Sequence, residues 1–495
     1  MNNNKYKYER LYNTLIIVSA FLFSLVIQFV TTFKETNIEK ILFNMEGVTN
    51  VQATFNSLAR PAVEVIISFV IISGIGLLPF MDFKFLKKDF YLNIFKKKVL
   101  IYPFSLKKWS WTLFIISLIS LVFSLEIPQV IISNFNLTTL YDEYYVPYEE
   151  GMVTFPEDKR NLITIYVESF ENTVLSSKNG GVNKKSYMPK MEKLTNNYIN
   201  FSNNDKIGGF YQVNGTSWTI ASIVGQTSGI PLFTRTKNED NKYLEGIVNL
   251  GDILENNGYN NYFLLGSDVY FADKKYYLSE HGNYIINDYY SAIRNNWIDD
   301  DYHKWWGYED KKLYSFAQNL LLDISNQNKP FNFTMLTADT HFFDGYVDES
   351  CPKKFDTNLA NSYYCTDLML SNFISWIQEQ DFYDNTTIII VGDHLSMRDN
   401  FFNISKDYNR TMYNLFINSY VNTNNTKNRL FSTLDMYPTT LASIGATING
   451  DRLALGTNLF SNRDTLMEEL GYDYYMKEIN KKSEYYNKKI LKRQD

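Results

Sequence analysis

Two short apolar runs rich in β-branched residues constrain most strongly what this chain can fold into. One covers residues 387–391 and is followed closely by Asp393 and His394, and the other covers residues 162–167 and is followed by Glu168. Runs of this length and composition are typical of strands covered on both faces, as in parallel sheets. Ligands bind beyond the carboxyl ends of such strands, so these polar side chains are placed where chemistry occurs.

The same polar residues are of the types that bind metals. Carboxylate oxygens and an imidazole nitrogen are common ligands of divalent cations. The Asp393-His394 pair alone is equally consistent with a polar turn after a strand. Glu168 at the end of a second strand favours a metal site, because a doubly wound sheet gathers ligands from strands far apart in sequence. We therefore expect Glu168, Asp393 and His394 to share one site.

The N-terminal part of the chain contains apolar stretches at about residues 11–33, 61–81 and 109–132. Each approaches the length of about 20 residues that a membrane-spanning helix needs. A cleaved signal peptide is the alternative for the first stretch, but no small-residue cleavage site follows it and two further stretches do. Residues 1–134 are therefore predicted to be a transmembrane region with three spans.

Basic residues indicate the orientation of these spans. They cluster before the first span and in the loop at residues 83–108, whereas the loop at residues 34–60 has fewer of them and several glutamates. Positively charged loops stay in the cytoplasm. The N-terminus is therefore expected to be cytoplasmic, and the chain after about residue 133 extracytoplasmic.

The chain has two cysteines, Cys351 and Cys365, both in the predicted exterior part. An oxidising compartment permits a disulfide between them, which would close a short loop and stabilise the fold by about 3 kcal/mol. Two unpaired thiols are the alternative.

The charge of the chain bears on its partners. The formal net charge of −6 argues against a nucleic-acid-binding protein. The C-terminal tail at residues 477–493 is rich in lysine. It is consistent with a contact to an anionic membrane surface or, more commonly, with a solvated terminal helix.

Candidate strands and helices alternate from about residue 161 to 445. Strands are expected at residues 162–167, 259–265, 331–336, 387–391 and 415–420, and helices at 249–256, 311–325, 358–379 and 434–444. Such alternation predicts an α/β fold with a mostly parallel central sheet and helices on both faces. After the transmembrane region we assign a linker at 135–160, an extracytoplasmic catalytic domain at 161–450 and a C-terminal extension at 451–495.

The segment from Asn214 to Gly225 carries a candidate nucleophile. Gly215 precedes Thr216 and a helix-compatible run follows, so Thr216 is expected at or near a helix N-terminus. Free backbone N–H groups and the helix dipole favour negative charge there. A threonine hydroxyl is a weak nucleophile until a base or a metal activates it. Helix capping by Thr216 or Ser217 is the alternative, and the two ligand-bearing strands favour the nucleophile.

Taken together, these motifs resemble the lipoteichoic acid synthase-like membrane phosphoglycerol transferases of the alkaline phosphatase/sulfatase superfamily. The sequences of the motifs are most similar to those of the enzymes that modify osmoregulated periplasmic glucans. The resemblance covers roughly residues 161–445 and is carried by segments 165–170, 215–221, 229–232, 250–259, 339–345, 393–397 and 435–441. Several separated motifs in one order are more specific than any one of them.

The resemblance implies a sulfatase-like catalytic domain on the periplasmic side of a bacterial cytoplasmic membrane. Glu168, Asp393 and His394 would hold one divalent metal, and Thr216 would be its fourth ligand and the nucleophile. Thr216 would attack phosphatidylglycerol, release diacylglycerol and pass glycerol phosphate from a phosphoryl-threonine intermediate to a glycan or polysaccharide. His341 would bind the phosphate or protonate the leaving group.

The resemblance also implies residues of the substrate pocket. Lys274 falls where the lipoteichoic acid synthases carry an arginine that contacts phosphate. A lysine ammonium is a point charge and cannot make the two-pronged contact of a guanidinium group. Tyr270 stands where the glucan enzymes have an arginine, which leaves recognition of the headgroup or acceptor open. His281 and Trp306 are candidates for the pocket wall, with local packing or capping as the alternative.

The implied ligand set of two carboxylates, one imidazole and one hydroxyl suits Mn²⁺, with Mg²⁺ or Zn²⁺ as alternatives. A phosphoethanolamine transferase of the same fold is the main alternative function. A sulfatase or phosphodiesterase is a further alternative. Sulfatases need a cysteine or serine followed closely by proline or alanine and then arginine, and the segment after Thr216 lacks that pattern.

Overall fold

The computed structural model describes residues 2–32, 53–77, 90–94, 97–102, 106–128, 136–233, 242–342, 344–398 and 401–492. The chain divides into two compact units, residues 1–135 and residues 136–495. The first unit contains the apolar stretches, and the second contains both ligand-bearing strands.

The first unit is mainly helical where it is described. Its elements are helices α1 Asn2–Thr32 and α2 Ala53–Leu77, strands β1 Phe90–Ile94 and β2 Lys97–Tyr102, and helix α3 Leu106–Ser124. Helix α1 contacts both α2 and α3. Within α1, Arg10–Gln28 is long and apolar enough to cross a membrane, whereas the apolar part of α2, Val63–Ile75, is shorter. Residues 33, 78–81 and 129–132 of the predicted spans lie outside the described residues.

The second unit is an α/β domain. Its strands are β3 Val153–Thr154, β4 Asn161–Val167, β5 Gly209–Phe210, β6 Asn260–Leu265, β7 Ile285–Asn287, β8 Phe331–Leu336, β9 Thr386–Gly392, β10 Met412–Ile417, β11 Thr447–Ile448, β12 Arg452–Leu453 and β13 Gly456–Thr457. Its helices are α4 Leu140–Tyr144, α5 Pro189–Thr195, α6 Thr219–Ser228, α7 Leu250–Asn256, α8 Lys274–Glu280, α9 Tyr289–Arg294, α10 Asp310–Ser325, α11 Asn358–Gln378, α12 Met436–Ser443, α13 Leu466–Leu470 and α14 Tyr472–Ile479.

A seven-stranded sheet in the order β5-β10-β9-β4-β8-β6-β7 forms the centre of this domain. The five strands from β9 to β7 are parallel, β10 runs antiparallel to β9, and β5 runs antiparallel to β10. Strands β8 and β9 are buried along their whole length, as near-continuous apolar runs in a parallel sheet should be. The predicted α/β fold with a mostly parallel sheet is confirmed.

The register of the two central strands determines where the site lies. Ile165 of β4 pairs with Ile390 of β9, and Val167 pairs with Gly392. Because the two strands are parallel and in this register, Glu168 and Asp393 leave the sheet side by side at its carboxyl edge.

Two helix starts illustrate how local sequence places the elements. Helix α7 begins with a capping box, in which the Asn249 side chain accepts from the Asp252 N–H and the Asp252 side chain accepts from the Asn249 N–H. Helix α11 begins after Thr357, whose hydroxyl accepts from the Ala360 N–H. Both starts lie within a residue or two of those predicted.

The C-terminal extension packs on the domain. Helix α14 buries Tyr475 and Ile479, and a π-helical segment, Tyr486–Ile490, buries its first and last side chains. The Tyr486 hydroxyl donates to the carbonyl of Pro231 at 2.8 Å. The lysine-rich tail is therefore held to the domain by the aromatic and aliphatic residues between its lysines.

Candidate metal centre

Three side chains meet at the carboxyl edge of β4 and β9. One oxygen of Glu168, one oxygen of Asp393 and one ring nitrogen of His394 all lie within 4.8 Å of one another. All three residues are buried, with at most 3% of any of them exposed. The predicted neighbourhood of Glu168 with Asp393 and His394 is thus present in the structure.

The backbone at the end of β9 leaves no room for a larger residue. A Cβ on Gly392 would lie 2.0 Å from the carbonyl oxygen of Phe170, so only glycine permits this approach. The Asp393 N–H donates to the Val167 carbonyl at 3.3 Å. The segment after β9 is therefore held directly against the segment after β4.

Hydrogen bonds orient the two carboxylates differently. Asp393 Oδ1 accepts from the backbone N–H groups of Ser169 at 2.7 Å and His394 at 2.8 Å. Asp393 Oδ2 is buried without a hydrogen-bond partner in the described part of the chain. Ser169 Oγ donates to Glu168 Oε1 at 2.6 Å. Ser169 has a φ of +54°, a left-handed conformation that non-glycine residues seldom adopt away from functional sites.

The His394 ring presents its lone pair to these carboxylates. Nδ1 lies 2.9 Å from the Leu395 carbonyl, to which it donates its proton. Nε2 then carries the lone pair and lies 3.5 Å from both Glu168 Oε1 and Asp393 Oδ2. A backbone carbonyl on the distal nitrogen is the usual support for a metal-binding histidine.

The electrostatics of the cluster favour a cation. Burial, and then the charge of Glu168, raise the pKa of Asp393 to about 7. Burial lowers the pKa of His394, but the charges of Asp393 and Glu168 outweigh it and the net direction is upward. Two buried carboxylates, one with an unpartnered oxygen, and an imidazole lone pair form a donor set that fits a divalent cation.

Lys274 and His341 are close enough to feel the charges of this cluster. Burial lowers the pKa of Lys274 to about 8, opposed by the charges of Asp268, Glu168 and Asp273. Its ammonium group donates to the carbonyl of Phe271 at 2.6 Å. The side chain that was predicted to contact phosphate thus lies within electrostatic range of Glu168.

His341 is a neutral imidazole, and one of its nitrogens has no hydrogen bond to the described residues. Burial lowers its pKa to about 4, and the charges of His394 and Lys274 act in the same direction. Nδ1 lies 2.7 Å from the Phe342 carbonyl, so Nδ1 carries the proton and Nε2 the lone pair. The Trp306 ring stands edge-on to the His341 ring with centroids 4.6 Å apart. Trp306 therefore packs against His341, and its role in the pocket wall stays a prediction.

Both ring nitrogens of His281 make contacts between structural elements. Its Nδ1 is 3.0 Å from Asp252 Oδ2 and its Nε2 is 2.7 Å from the Tyr243 carbonyl. Both ring nitrogens are therefore engaged by acceptors, and the ring ties the end of α8 to the first turn of α7. These contacts favour the alternative of local packing and capping, and a place for His281 in the pocket wall stays a prediction.

Thr216 was expected at or near a helix N-terminus and lies three residues before the first residue of helix α6. Its side chain has no exposed surface, and its hydroxyl donates to the Val213 carbonyl at 2.8 Å and lies 3.2 Å from the Thr433 hydroxyl. Helix α6 begins at Thr219. The Thr219 side chain is half-buried, and its hydroxyl has no hydrogen bond to any residue that the structure describes. The motif therefore contains two threonines, of which Thr216 is hydrogen-bonded and Thr219 has no hydrogen bond within the described part of the chain.

Cys351 and Cys365 are joined by a disulfide. The bond connects the loop that follows the His341 segment to helix α11, which begins seven residues before Cys365.

Sequence reasoning missed Ser169, which contacts both carboxylates of the candidate metal centre. Its only signal in the sequence is its position next to Glu168.

Comparisons with known proteins agree with this fold. The sulfatase family model matches residues 160–449. Phosphoglycerol transferase I of Escherichia fergusonii is 28% identical over 346 residues, which cover 68% of this chain and 40% of that protein. The protein of the same name from Escherichia coli K12 is also 28% identical, over 66% of this chain and 40% of its own length.

One solved structure shows the same fold. The crystal structure of the lipoteichoic acid synthase LtaP from Listeria monocytogenes superimposes with a TM-score of 0.50 at 19% identity, over 65% of this chain and 80% of that chain. Fold and cluster define a protein of the alkaline phosphatase/sulfatase superfamily. The chain belongs to the sulfatase family, as its motifs indicated. It spans about 40% of the length of the phosphoglycerol transferases that it matches.

Proposed function

We propose that this protein is a membrane-anchored phosphoglycerol transferase that moves glycerol phosphate from phosphatidylglycerol to an extracytoplasmic glycan. The observation that carries the proposal is the buried cluster of Glu168, Asp393 and His394 at the sheet edge of a sulfatase-family domain. The similarity to phosphoglycerol transferase I supports the choice of headgroup.

Glu168, Asp393 and His394 would hold one divalent cation, with Mn²⁺ as the expected ion and Mg²⁺ or Zn²⁺ as alternatives. Such a cation supplies charge that stabilises the phosphoryl oxygens and lowers the pKa of a hydroxyl nearby. The protein contributes a preformed set of ligands, because backbone N–H groups and a carbonyl already orient Asp393 and His394.

The reaction is a double displacement at phosphorus. A threonine hydroxyl attacks the phosphorus of the headgroup, a new phosphorus–oxygen bond forms, and the bond to diacylglycerol breaks. A sugar hydroxyl then attacks the same phosphorus and releases the threonine. Neutral His341 can accept the proton of the attacking hydroxyl at Nε2 and return it to the leaving oxygen. Lys274 offers positive charge to the phosphate.

The nucleophile belongs to the segment from Gly215 to Thr219. Thr216 is the residue that the resemblance implies, and it must leave the Val213 carbonyl before it can attack. Thr219 needs no such change and begins helix α6, whose free N–H groups favour negative charge. Mass spectrometry of protein quenched during turnover distinguishes the two, because the glycerophosphoryl group will be found on one threonine of the tryptic peptide.

The activity is tested with purified full-length protein, fluorescent phosphatidylglycerol and Mn²⁺. Diacylglycerol should be released, and Asp393→Asn should abolish the release while the protein stays folded. Phosphatidylethanolamine is supplied in parallel, because a phosphoethanolamine transferase has the same fold and would prefer it. Release from neither lipid, or full activity of Asp393→Asn, would refute the proposal.

We further propose that the first unit is a three-span anchor with a cytoplasmic N-terminus. Helix α1 supplies a stretch of spanning length. Helices α2 and α3 expose large apolar side chains such as Ile66, Val70, Ile115 and Phe123, which are 50–62% exposed. The disulfide fits an exterior location of the second unit. This arrangement brings the site to the lipid headgroups of a bacterial cytoplasmic membrane.

A further inference from the structure

Glu171 and Arg410 form a buried ion pair that contacts both ligand-bearing segments. Neither residue was among the predicted site residues. Arg410 Nε lies 2.8 Å from Glu171 Oε2, and Arg410 Nη2 lies 2.6 Å from Glu171 Oε1. The Glu171 side chain has no exposed surface and that of Arg410 is 17% exposed. Such a two-pronged contact fixes distance and angle as well as charge.

The pair bridges the segment after β4 and the segment after β9. Glu171 follows the ligand Glu168 by three residues, and Ser396 follows the ligand His394 by two. The Ser396 N–H donates to Glu171 Oε1 at 3.2 Å. Arg410 Nη2 donates to the Ser396 carbonyl at 2.7 Å. Both backbone groups of Ser396 are therefore held by the ion pair.

The same pair is anchored to a third strand. Arg410 precedes β10 by two residues. Next to it, the Thr411 carbonyl accepts from the backbone N–H of Asn172 at 2.9 Å and from the Asn172 side chain at 3.1 Å. The segments after β4 and β9 and the start of β10 are thus tied together around the Glu171 carboxylate.

We propose that the Glu171–Arg410 pair is a positioning device, which sets the separation between Glu168 and the Asp393-His394 pair that the cation requires. The inference rests on the proposed metal centre. A buried ion pair is weak support for stability alone, since desolvation opposes its attraction. Groups behind the ligands that hold them in place commonly change metal affinity by about 10- to 100-fold when they are removed.

The test measures Mn²⁺ binding by electron paramagnetic resonance on the full-length protein in detergent, without substrate. Arg410→Lys keeps the charge but loses the fork. We expect its dissociation constant for Mn²⁺ to rise by about 10- to 100-fold, and its activity to recover at high Mn²⁺ concentration. Glu171→Gln removes the charge while leaving an oxygen for the Ser396 N–H. Glu171→Gln should also raise the dissociation constant for Mn²⁺. It replaces Arg410→Lys as the test variant if Arg410→Lys does not fold.

Arg429→Lys is the matched control. Arg429 is also buried, with 5% of its side chain exposed, and forms a similar fork with Glu468, with Nε–Oε1 at 2.7 Å and Nη2–Oε2 at 3.0 Å. Its guanidinium also donates to the Asn425 carbonyl at 3.2 Å, away from the ligand segments. This variant should lower the melting temperature as Arg410→Lys does, and leave the affinity for Mn²⁺ unchanged.

Two outcomes would count against the inference in different ways. Equal Mn²⁺ affinity in Arg410→Lys, Glu171→Gln, Arg429→Lys and the unaltered protein would show that the Glu171–Arg410 pair serves stability only. Asp393→Asn separates this result from a failure of the metal centre, because it removes a ligand. If Asp393→Asn also bound Mn²⁺ normally, the metal centre and the proposed function would both be wrong.

Discussion

At the scale of single residues, Asp393 shows how the site is prepared for a cation. One of its oxygens accepts two backbone N–H groups, which hold the carboxylate in place. The other oxygen is buried and has no partner within the described residues. A carboxylate held in this way keeps a lone pair available at a fixed position, and a bound cation would offset the cost of burying it.

Lys274 gives a prediction for the pH dependence of activity. Burial lowers its pKa to about 8, so its positive charge is lost as the pH rises through that value. If Lys274 binds the phosphate of the lipid, kcat/KM should fall above about pH 8, since kcat/KM reports the free enzyme. Lys274→Arg should remove this fall, because arginine stays charged. The measurement is kcat/KM for phosphatidylglycerol from pH 6.5 to 9.5.

Lys275→Arg is a suitable control for that profile, because Lys275 is the neighbouring lysine in the same helix. It should leave the alkaline fall in place. An identical fall in the unaltered protein and in Lys274→Arg would assign the titration to another group and remove Lys274 from phosphate binding.

The candidate site was predictable where its chemistry follows a recognisable strand. Glu168, Asp393 and His394 stand directly after apolar β-branched runs, and parallel strands bring such positions to one edge. The pair Glu171–Arg410 could not be predicted, because its members are 239 residues apart and neither stands in a motif. The contacts of His281 could not be predicted for the same reason, since its partner Asp252 is 29 residues away in the sequence.

At the scale of elements, the disulfide has a measurable effect. The Cys351–Cys365 bond closes a loop with a sequence separation of 14. Loss of both thiols through Cys351→Ser/Cys365→Ser should lower the free energy of unfolding by about 3 kcal/mol in the chain-entropy model. Urea denaturation of the second unit measures it. A reducing agent should lower the stability of the unaltered protein and leave the double variant unchanged, whereas equal sensitivity of both would contradict the prediction.

The bridge between α7 and α8 predicts a pH-dependent stability. Burial lowers the pKa of His281, but its hydrogen bond to Asp252 and the charge of Asp252 outweigh it and raise the net value above 6.5. A histidine whose pKa is higher when folded stabilises the protein fully below about pH 6.5 and loses that contribution as the pH rises through the folded value.

His281→Gln tests this bridge through thermal unfolding over the range from about pH 6 to 9. The gap in melting temperature between the unaltered protein and His281→Gln should be widest at the acid end and shrink as the pH rises. His303 is exposed, so His303→Gln should give a gap that is small and constant. A constant gap for His281→Gln would show that the ring contributes by packing alone.

The elements themselves divide by how much sequence signal they carry. Strands β4, β6, β8 and β9 were predictable, because each is a run of buried apolar residues near the length of an average strand. Strands β5 and β7 have two and three residues and include Gly209 and Asn287, so no periodicity could develop. Strand β10 was predicted about three residues too late in the sequence. Its antiparallel direction could not be predicted, because a buried strand has the same composition in either direction.

At the scale of the whole molecule, the two units differ in what they expose. Helices α1, α2 and α3 of the first unit expose large apolar side chains. Among the most exposed are Val30, Ile66, Val70, Ile75 and Phe123. The core of the second unit is closed around the central sheet, with residues such as Ile163, Ile165, Phe333, Ile388 and Ile390 fully buried. Exposed apolar surface of this kind fits a lipid environment, whereas the second unit has a core of its own.

This division predicts that residues 136–495 fold without the first unit. The isolated second unit, exported so that its disulfide forms, should bind Mn²⁺ with the affinity of the full-length protein. Both forms should have equal activity on dispersed short-chain phosphatidylglycerol, because the site lies wholly in the second unit. On vesicles the isolated unit should be slower, since only the anchored form has its site at a high local concentration of headgroups. Diacylglycerol release from both substrates measures the comparison. Equal rates on vesicles would show that the first unit contributes nothing to substrate access.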